Sequence, residues 1–365
     1  MDKQISDDET DHYEKTSDNN PTNLNPGAGG FYESADHAIN ESFQFRLAAT
    51  LPKSGKYVDY DEYKLIFHDT MSKGVTFENI ESVKMGDREL GDYTVEGVKS
   101  GDAGKEWTLT VVLPKGQDES YSNLVDGAVV EVIYNAHLNE NALVHNESET
   151  GIETNHNSVY LEYSNNPNVD IHPEKDYKDN TGQTEPDSVW VFTYEINSIK
   201  KADSEDGSPL EGAGFTLYSG ETAIKLIKKA GEDGSYIVAD QEATQGVITE
   251  MVTGADGVFR VIGFDTGNYT LKETTTPPGY TGCSDQDVAI MASHAENDRT
   301  DSADLNLDNT RLEYIFVNTS GTALPSTGGM GTKLFRLLGI LLILGASIML
   351  VTRRRAAAVR HHEQS

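Results

Sequence analysis

Short runs in which apolar and polar residues alternate recur from residue 37 to residue 168. They are rich in β-branched and aromatic residues and are separated by Gly, Asp, Asn and Pro. The clearest runs are 43–47, 63–67, 107–112, 129–134 and 159–163. Runs of this length, with this punctuation, predict the strands of a β-sandwich. A second set, near 189–201, 214–218, 258–263, 268–273 and 312–318, predicts another β domain over 188–319.

The segments around these two domains are polar. Residues 1–36 form a leader rich in Asp, Asn, Ser and Gly, with a possible truncated first strand at Lys3-Gln4-Ile5. Residues 169–187 form a linker that contains Pro173 and Pro186. No apolar segment follows a basic start, so no secretory signal peptide is recognised and we expect the true N-terminus to be missing.

Helical periodicity is convincing only near the C-terminus, in the last of the predicted regions, 320–365. Leu324-Pro325-Ser326-Thr327-Gly328 is followed by the apolar run 337–351 and by Arg353-Arg354-Arg355. The run approaches the roughly 20 residues of a membrane-spanning helix, and the arginines keep the tail inside the cell. This order resembles the cell-wall sorting signal of Gram-positive bacteria. The resemblance implies that a sortase cleaves after Thr327 and joins its carboxyl to an amine of a peptidoglycan precursor or a pilin.

Composition narrows the class of protein further. The 365 residues carry 60 acidic and 29 basic side chains, a formal net charge of −31. A surface this acidic repels nucleic acid and suits a solvated extracellular protein. Cys283 is the only cysteine, so no disulfide can form within the chain. Stability outside the cell must therefore come from another source.

Three stretches of the second domain resemble the B-type domain of collagen adhesins and Gram-positive pilins. They are Lys200-Lys201-Ala202-Asp203 with the downstream 209–217, Tyr269-Thr270-Leu271-Lys272-Glu273-Thr274 with Pro277-Pro278-Gly279-Tyr280, and Phe316-Val317-Asn318-Thr319. The resemblance implies an immunoglobulin-like sandwich with a spontaneous lysine–asparagine isopeptide bond. It assigns Glu273 as the proton shuttle and Asn318 as the acceptor. The donor is Lys201, from the usual Lys-x-Asp spacing, or Lys200, if the strand carries one extra residue.

The residue types suit that chemistry. A lysine buried among apolar side chains loses the solvation of its charge, so its pKa falls and the amine becomes a nucleophile. A buried glutamate stays protonated more readily, so it can polarise a carboxamide and transfer protons as ammonia leaves. Because strand side chains alternate, only one of Lys200 and Lys201 can face the core.

The first domain resembles the middle domain of fimbrial backbone pilins. The supporting stretches are 67–77, Leu138-Asn139-Glu140-Asn141-Ala142 and 161–167. The resemblance implies a second isopeptide bond, with Lys3 as donor, Asp69 as proton shuttle and Asn165 as acceptor. The polymerising Tyr-Pro-Lys-type motif of such pilins is missing from the sequence. The chain is therefore expected to be attached through Thr327 without extending a fibre from its own lysine.

Together these observations predict an all-β chain of tandem immunoglobulin-like sandwiches with one C-terminal transmembrane helix. The predicted function is that of a sortase-processed structural subunit of a surface fimbria, secreted and anchored to the cell wall. Its expected partners are sortase, peptidoglycan precursor, other pilin subunits and a host surface ligand, with membrane contact only before cleavage. The alternative is a monomeric wall-anchored adhesin. No nucleophile elbow, zinc motif or nucleotide loop is present, so no enzyme, cofactor or metal is expected.

Overall fold

The computed structural model describes residues 1–7, 12–14, 22–23, 30–51, 60, 62–114, 127–144, 146–148, 151–153, 155–168, 181–292, 294–295 and 311–321. Every extended regular element in this part of the chain is a β-strand, which confirms the predicted all-β class. No helix long and apolar enough to cross a membrane occurs among these residues. The sorting motif at 324–328 and the predicted transmembrane helix at 337–351 lie outside the described residues.

The N-terminal half of the chain folds as one sandwich of two sheets. The strands of this half are β1 (Asp2–Asp7), β2 (His12–Glu14), β3 (Thr22–Asn23), β4 (Gly30–Tyr32), β5 (Ser34–Asp36), β6 (Ser42–Thr50), β7 (Glu62–Met71), β8 (Val75–Met85), β9 (Arg88–Glu89), β10 (Tyr93–Glu96), β11 (Glu106–Pro114), β12 (Val129–Leu138), β13 (Asn146–Ser148), β14 (Gly151–Glu153), β15 (Asn155–Ser164), β16 (Thr181–Gln183) and β17 (Asp187–Phe192). One sheet has the order β4-β1-β6-β12-β8-β9. The facing sheet has the order β10-β11-β7-β15-β17-β5, with β16 paired to β15.

The C-terminal half forms the second sandwich. The strands of this half are β18 (Tyr194–Ala202), β19 (Gly214–Ser219), β20 (Thr222–Ala223), β21 (Leu226–Lys228), β22 (Ser235–Val238), β23 (Glu250–Val252), β24 (Val258–Phe264), β25 (Gly267–Thr275), β26 (Tyr280–Thr281), β27 (Gln286–Ile290), β28 (His294–Ala295) and β29 (Arg311–Ser320). The two sheets have the orders β21-β22-β24-β18-β29-β26 and β20-β19-β25-β27, with β23 paired to β19. The short strands β13 and β14 form a hairpin, and β28, β2 and β3 form a small separate sheet.

Alternation along the strands builds both cores. In β6, every second residue from Phe43 to Ala49 is buried, and β12 alternates in the same way. The buried side chains of one sheet meet those of the other because successive side chains of a strand point to opposite faces. A sandwich core packed in this way can also enclose a few polar side chains, and Lys3 and Lys200 are both fully buried.

The first sandwich extends beyond the segments predicted for it at both ends. β1, β4 and β5 come from the predicted leader, and β17 pairs with β15 although the first domain was predicted to end at residue 168. The predicted strand 189–201 is interrupted at Thr193, so its two halves, β17 and β18, belong to different sheets. Apolar alternation alone did not reveal this break because both halves bury one face.

Candidate functional site

Three strands of the second sandwich bring together a lysine, a glutamate and an asparagine. β18 and β29 are parallel neighbours in which Lys200 lies opposite Phe316 and Ala202 opposite Asn318. Since side chains alternate, Lys200 and Asn318 both project from the core face of this sheet. Glu273 reaches them from β25 in the facing sheet. We call this group the second centre.

Glu273 connects the amine and the carboxamide directly. Lys200 Nζ donates to Glu273 Oε2 at 3.3 Å, and Asn318 Nδ2 donates to Glu273 Oε1 at 2.6 Å. The side chains of Lys200 and Glu273 are 0% and 1% exposed. In the part of the chain that the structure describes, Asn318 Oδ1 is buried without a hydrogen-bond partner. A buried carbonyl oxygen without a donor is costly, so a donor at this oxygen would be favoured.

Of the two candidate donors, the structure brings Lys200 rather than Lys201 to Glu273. Lys201 is the outward neighbour in β18 and is only partly buried. Lys200 lies instead between two rings, with Nζ 5.1 Å from the centroid of Phe215 and 5.8 Å from that of Phe316. The usual Lys-x-Asp spacing therefore selects the wrong face here, and the alternative of one extra residue in the strand fits the geometry.

Cys283 is a member of the second centre that sequence reasoning missed. Lys200 Nζ lies 3.1 Å from Cys283 Sγ, and the backbone N–H of Cys283 donates to Glu273 Oε2 at 2.7 Å. Burial raises the pKa of the Cys283 thiol, which therefore stays protonated at neutral pH. Only its position a few residues after the predicted E-box could have drawn attention to it.

The first sandwich contains a comparable group, the first centre. Lys3 Nζ donates to Asp69 Oδ2 at 2.5 Å, and both side chains are 0% exposed. Tyr134 O–H donates to the same oxygen at 3.0 Å, and Trp107 Nε1–H donates to Asp69 Oδ1 at 3.1 Å. Burial is the largest influence on Lys3 and lowers the pKa of its amine, although Asp69 acts in the opposite direction. A lowered pKa makes the neutral, nucleophilic amine easier to reach.

The asparagine of the first centre is Asn157, and the predicted acceptor Asn165 is elsewhere. Asn157 is fully buried on β15, its Nδ2 donates to Tyr134 Oη, and its Oδ1 has no hydrogen-bond partner among the residues that the structure describes. Asn165 is exposed just beyond the end of β15, eight residues further along the chain. At about 3.3 Å per residue, Asn165 lies roughly 26 Å from Asn157 along the chain, so Asn165 does not contact Lys3. The assignment of Asn165 is therefore corrected to Asn157.

Tyr134 connects the amine, the carboxylate and the carboxamide of the first centre. Its oxygen accepts from Lys3 Nζ at 3.3 Å while its proton goes to Asp69. Burial, followed by the charge of Asp69, raises the pKa of Tyr134 well above its usual value of 10.0. The hydroxyl is therefore protonated at any physiological pH. The sequence signal for this residue was its place in the apolar alternation of β12, which predicted only core packing.

Comparisons with known proteins agree with this architecture. Residues 196–304 match the SpaA family model, described as a prealbumin-like fold domain, and residues 317–357 match the LPXTG cell wall anchor motif. The trypsin-resistant surface T6 protein of Streptococcus pyogenes serotype M6 is 27% identical over an aligned length of 348 residues. That match covers 79% of this chain and 60% of the relative, so the chain spans about 60% of the relative's length.

Two solved structures share the fold. The 35 kDa C-terminal fragment of the major pilin GBS80 of Streptococcus agalactiae has a TM-score of 0.52 and 20% identity, covering 79% of this chain and 96% of the fragment. The pilus 2b backbone protein of group B streptococcus has a TM-score of 0.50 and 19% identity, covering 80% of this chain and 97% of that one. The predicted resemblance to sortase-assembled pilus backbone subunits is confirmed, as is the cell-wall-anchored surface location.

Proposed function

We propose that this chain is a sortase-processed structural subunit of a surface pilus, and that each of its sandwiches is closed by an intramolecular lysine–asparagine isopeptide bond. The observation that carries the proposal is the pair of buried lysine–carboxylate–asparagine groups upstream of a cell-wall anchor motif. The bonds join Lys200 to Asn318 with Glu273 as proton shuttle, and Lys3 to Asn157 with Asp69 as proton shuttle.

The reaction at each centre balances without a cofactor. The neutral Nζ of the lysine attacks the Cγ of the asparagine, a new C–N bond forms, and the bond to Nδ2 breaks. The lysine ammonium first transfers a proton to the carboxylate, which gives the neutral amine and a carboxyl group. The carboxyl polarises the carboxamide by donating its proton to Oδ1, takes a proton from the attacking nitrogen, delivers it to the leaving ammonia and recovers its own proton from the oxygen as the carbonyl forms again. Burial supports the first step in the first sandwich, because it lowers the pKa of the Lys3 amine. The product is a neutral amide in place of a buried ion pair.

The placement of the bonds suits a load-bearing subunit. Lys200 and Asn318 lie on the first and last strands of the second sandwich, so their bond ties the two ends of that domain together. Lys3 and Asn157 lie on facing sheets, so their bond joins the sheets of the first domain. A chain with one cysteine has no disulfide to perform either task. Attachment would follow through Thr327, with sortase, peptidoglycan precursor and neighbouring pilins as partners.

The direct test is the intact mass of the region that ends before Leu324. Each isopeptide bond removes one ammonia, so the wild type is expected to lack two. Glu273→Ala and Asp69→Ala should each restore one, and peptide mapping should identify the linked pairs. A wild type with unchanged mass would overturn both bonds.

A polymerisation assay distinguishes a pilus subunit from a monomeric adhesin. Co-expression with a pilus-assembling sortase and a backbone pilin should place the full chain in a covalent ladder on denaturing gels. Thr327→Ala should remove the chain from the ladder while leaving both cross-links intact. A single wall-linked band in the wild type would favour the monomeric adhesin.

A further inference from the structure

The junction between the two sandwiches is a packed, polar-lined interface. The segment after β5 lies against β24 and β22, where Ile39 N–H donates to Gly263 O at 3.0 Å and Asn40 Nδ2 donates to Val238 O at 3.1 Å. A Cβ on Gly263 would lie 2.7 Å from Ile39, and the glycine has a positive φ of 97°, so no larger residue fits there. The same segment carries His37 and Glu41, which face Asp265 of the second sandwich.

These three side chains form a donor set drawn from both domains. One ligand atom from each of His37, Glu41 and Asp265 lies within 4.8 Å of the others. None of the sequence spacings suggested this group, because Asp265 is remote in the chain from the other two. We call it the junction cluster.

His37 has an imidazole nitrogen that is free to coordinate. It is 3% exposed, and its ring stacks on Phe43 at 4.5 Å between centroids. Nε2 lies 2.8 Å from the carbonyl oxygen of Ser6, which can only accept, so Nε2 carries the proton. In the neutral ring, Nδ1 is left with its lone pair. It has no hydrogen-bond partner within the described ranges and is 3.6 Å from Glu41 Oε1. A backbone carbonyl on the opposite nitrogen is the usual support of a metal-bound histidine.

A further carboxyl group lies at the same point. Asp36 Oδ2 and Asp265 Oδ1 both accept from the single N–H of Thr266, at 3.2 and 2.8 Å. Two carboxyl groups held this closely place several oxygen ligands around one point, which favours a bound cation. Among the described residues, Thr266 Oγ1 is a further buried oxygen without a hydrogen-bond partner.

We propose that the junction cluster binds a divalent transition-metal ion, with His37 Nδ1, a carboxylate oxygen of Glu41 and a carboxylate oxygen of Asp265 as its protein ligands. One imidazole and two carboxylates suit Zn²⁺ or Mn²⁺, whereas Ca²⁺ and Mg²⁺ take oxygen ligands alone. Glu41 Oε2 accepts from the N–H of Ala38 at 3.0 Å, so Oε1, which lies 3.6 Å from His37 Nδ1, is the oxygen that would face the ion. Because the ligands come from both sandwiches, the ion would fix the angle between them. This inference does not depend on the isopeptide bonds or on pilus assembly.

The test uses the full chain in detergent, with His361→Ala and His362→Ala introduced to remove a weak metal site in the tail. Equilibrium dialysis against Zn²⁺ or Mn²⁺, followed by metal analysis, should give one bound equivalent. Asp265→Asn and Glu41→Gln should each raise the dissociation constant at least ~10-fold, the loss typical of a disturbed metal shell. The circular dichroism spectrum and the cooperative melting transition of metal-free Asp265→Asn should resemble those of the wild type, which shows that the variant folds.

A matched control is available within the first sandwich. His137 Nδ1 lies 2.7 Å from Glu78 Oε1, a histidine–glutamate pair that is absent from the clusters able to hold a metal among the described residues. Glu78→Gln should therefore leave the bound equivalent unchanged. The proposal is overturned if no ion binds, if only Ca²⁺ binds, or if Asp265→Asn and Glu41→Gln bind the ion as tightly as Glu78→Gln does.

Discussion

The two centres contain the same three functional groups but are built differently. In the second centre, amine and carboxamide lie on neighbouring strands of one sheet, and the carboxylate comes from the facing sheet. In the first centre, the carboxylate and carboxamide share one sheet, and the amine comes from the other. The chemistry therefore fixes the three groups and their burial, but not which strands supply them.

This difference accounts for the acid being a glutamate in the second centre and the shorter aspartate in the first. Glu273 crosses the core and contacts both reactants directly, at 3.3 and 2.6 Å. The side chain of Asp69 is one methylene shorter than that of a glutamate. Asp69 lies on the strand next to that of Asn157, but the residue directly opposite Asn157 is Met71. It contacts Lys3 itself but is linked to Asn157 through the hydroxyl of Tyr134. A longer acid in one centre and a tyrosine in the other solve the same geometric problem.

Removing the acceptors should give the largest effects. Asn157→Ala and Asn318→Ala each prevent one bond, and the loss of a cross-link closing more than 100 residues costs about 5 kcal/mol by the loop-entropy relation. Each variant should lack one ammonia relative to the mass calculated from its own sequence, where the wild type lacks two, and should unfold at lower denaturant concentration. Intact mass and chemical denaturation together measure both consequences.

Asn165→Ala and Lys201→Ala are the matched controls for this experiment. Both residues lie outside the buried groups, so mass and stability should stay close to wild type. If Asn165→Ala restored an ammonia and Asn157→Ala did not, the assignment of the first centre would be wrong. Equal effects of Lys200→Ala and Lys201→Ala would sink the choice of donor in the second centre.

Replacing Tyr134 should affect bond formation in the first centre and not in the second. The loss of stability should be smaller than that caused by removing an acceptor. Tyr134→Phe removes the hydroxyl that links Asp69 to Asn157, so bond formation in the first sandwich should slow or stop while the second bond still forms. The carboxylate and carboxamide also lose a buried partner, which costs about 1–3 kcal/mol. Peptide mapping at successive times after refolding would follow each bond separately.

Tyr236→Phe provides the comparison for Tyr134→Phe. Tyr236 is also buried, and among the described residues its hydroxyl bonds backbone groups of Val252 alone. It should reduce stability without delaying either bond. A normal rate of first-domain bond formation in Tyr134→Phe would show that the hydroxyl does not serve the reaction.

Sequence reasoning predicted the second centre better than the first for a physical reason. Glu273 and Asn318 came from the resemblance to pilin motifs, and alternation along β18 left only the choice between Lys200 and Lys201. In the first sandwich, the order of residues in similar pilins placed the acceptor at Asn165, just beyond the end of β15. The buried asparagine lies near the beginning of that strand, and β17 continues the same sheet after it. The junction cluster could not be predicted, because only the packing of the two sandwiches brings its residues together.

The pH dependence of the uncross-linked first domain should show a smaller effect. Burial lowers the folded-state pKa of Lys3 below 10.5, so between those values the unfolded chain holds a proton that the folded chain lacks. The unfolding free energy of Asn157→Ala should therefore rise with pH in this range, by at most ~1.4 kcal/mol per pH unit for one proton. Denaturation at several pH values below 10 measures the slope, before Tyr134, whose pKa is raised, adds an opposing trend.

Two comparisons isolate Lys3 in that measurement. In the cross-linked wild type the amine has become an amide, so this contribution should vanish. In Asn157→Ala combined with Lys3→Met it should vanish as well, because the titrating amine has been removed. A slope that persists in the double variant would have to come from another residue.

Replacing Cys283 should have the smallest effect on stability. Its variants test whether the second centre needs more than the lysine, the glutamate and the asparagine. Cys283→Ala removes the thiol beside Lys200 but keeps the backbone N–H that donates to Glu273 Oε2 at 2.7 Å. Since that donor is retained, the bond between Lys200 and Asn318 should still form, and the stability should fall by about 1 kcal/mol or less. Intact mass and denaturation of Cys283→Ala beside Cys283→Ser measure both effects. If Cys283→Ala left the ammonia in place while Cys283→Ser released it, a hydrogen-bonding group beside the amine would be required, and the second centre would depend on a fourth residue as the first depends on Tyr134.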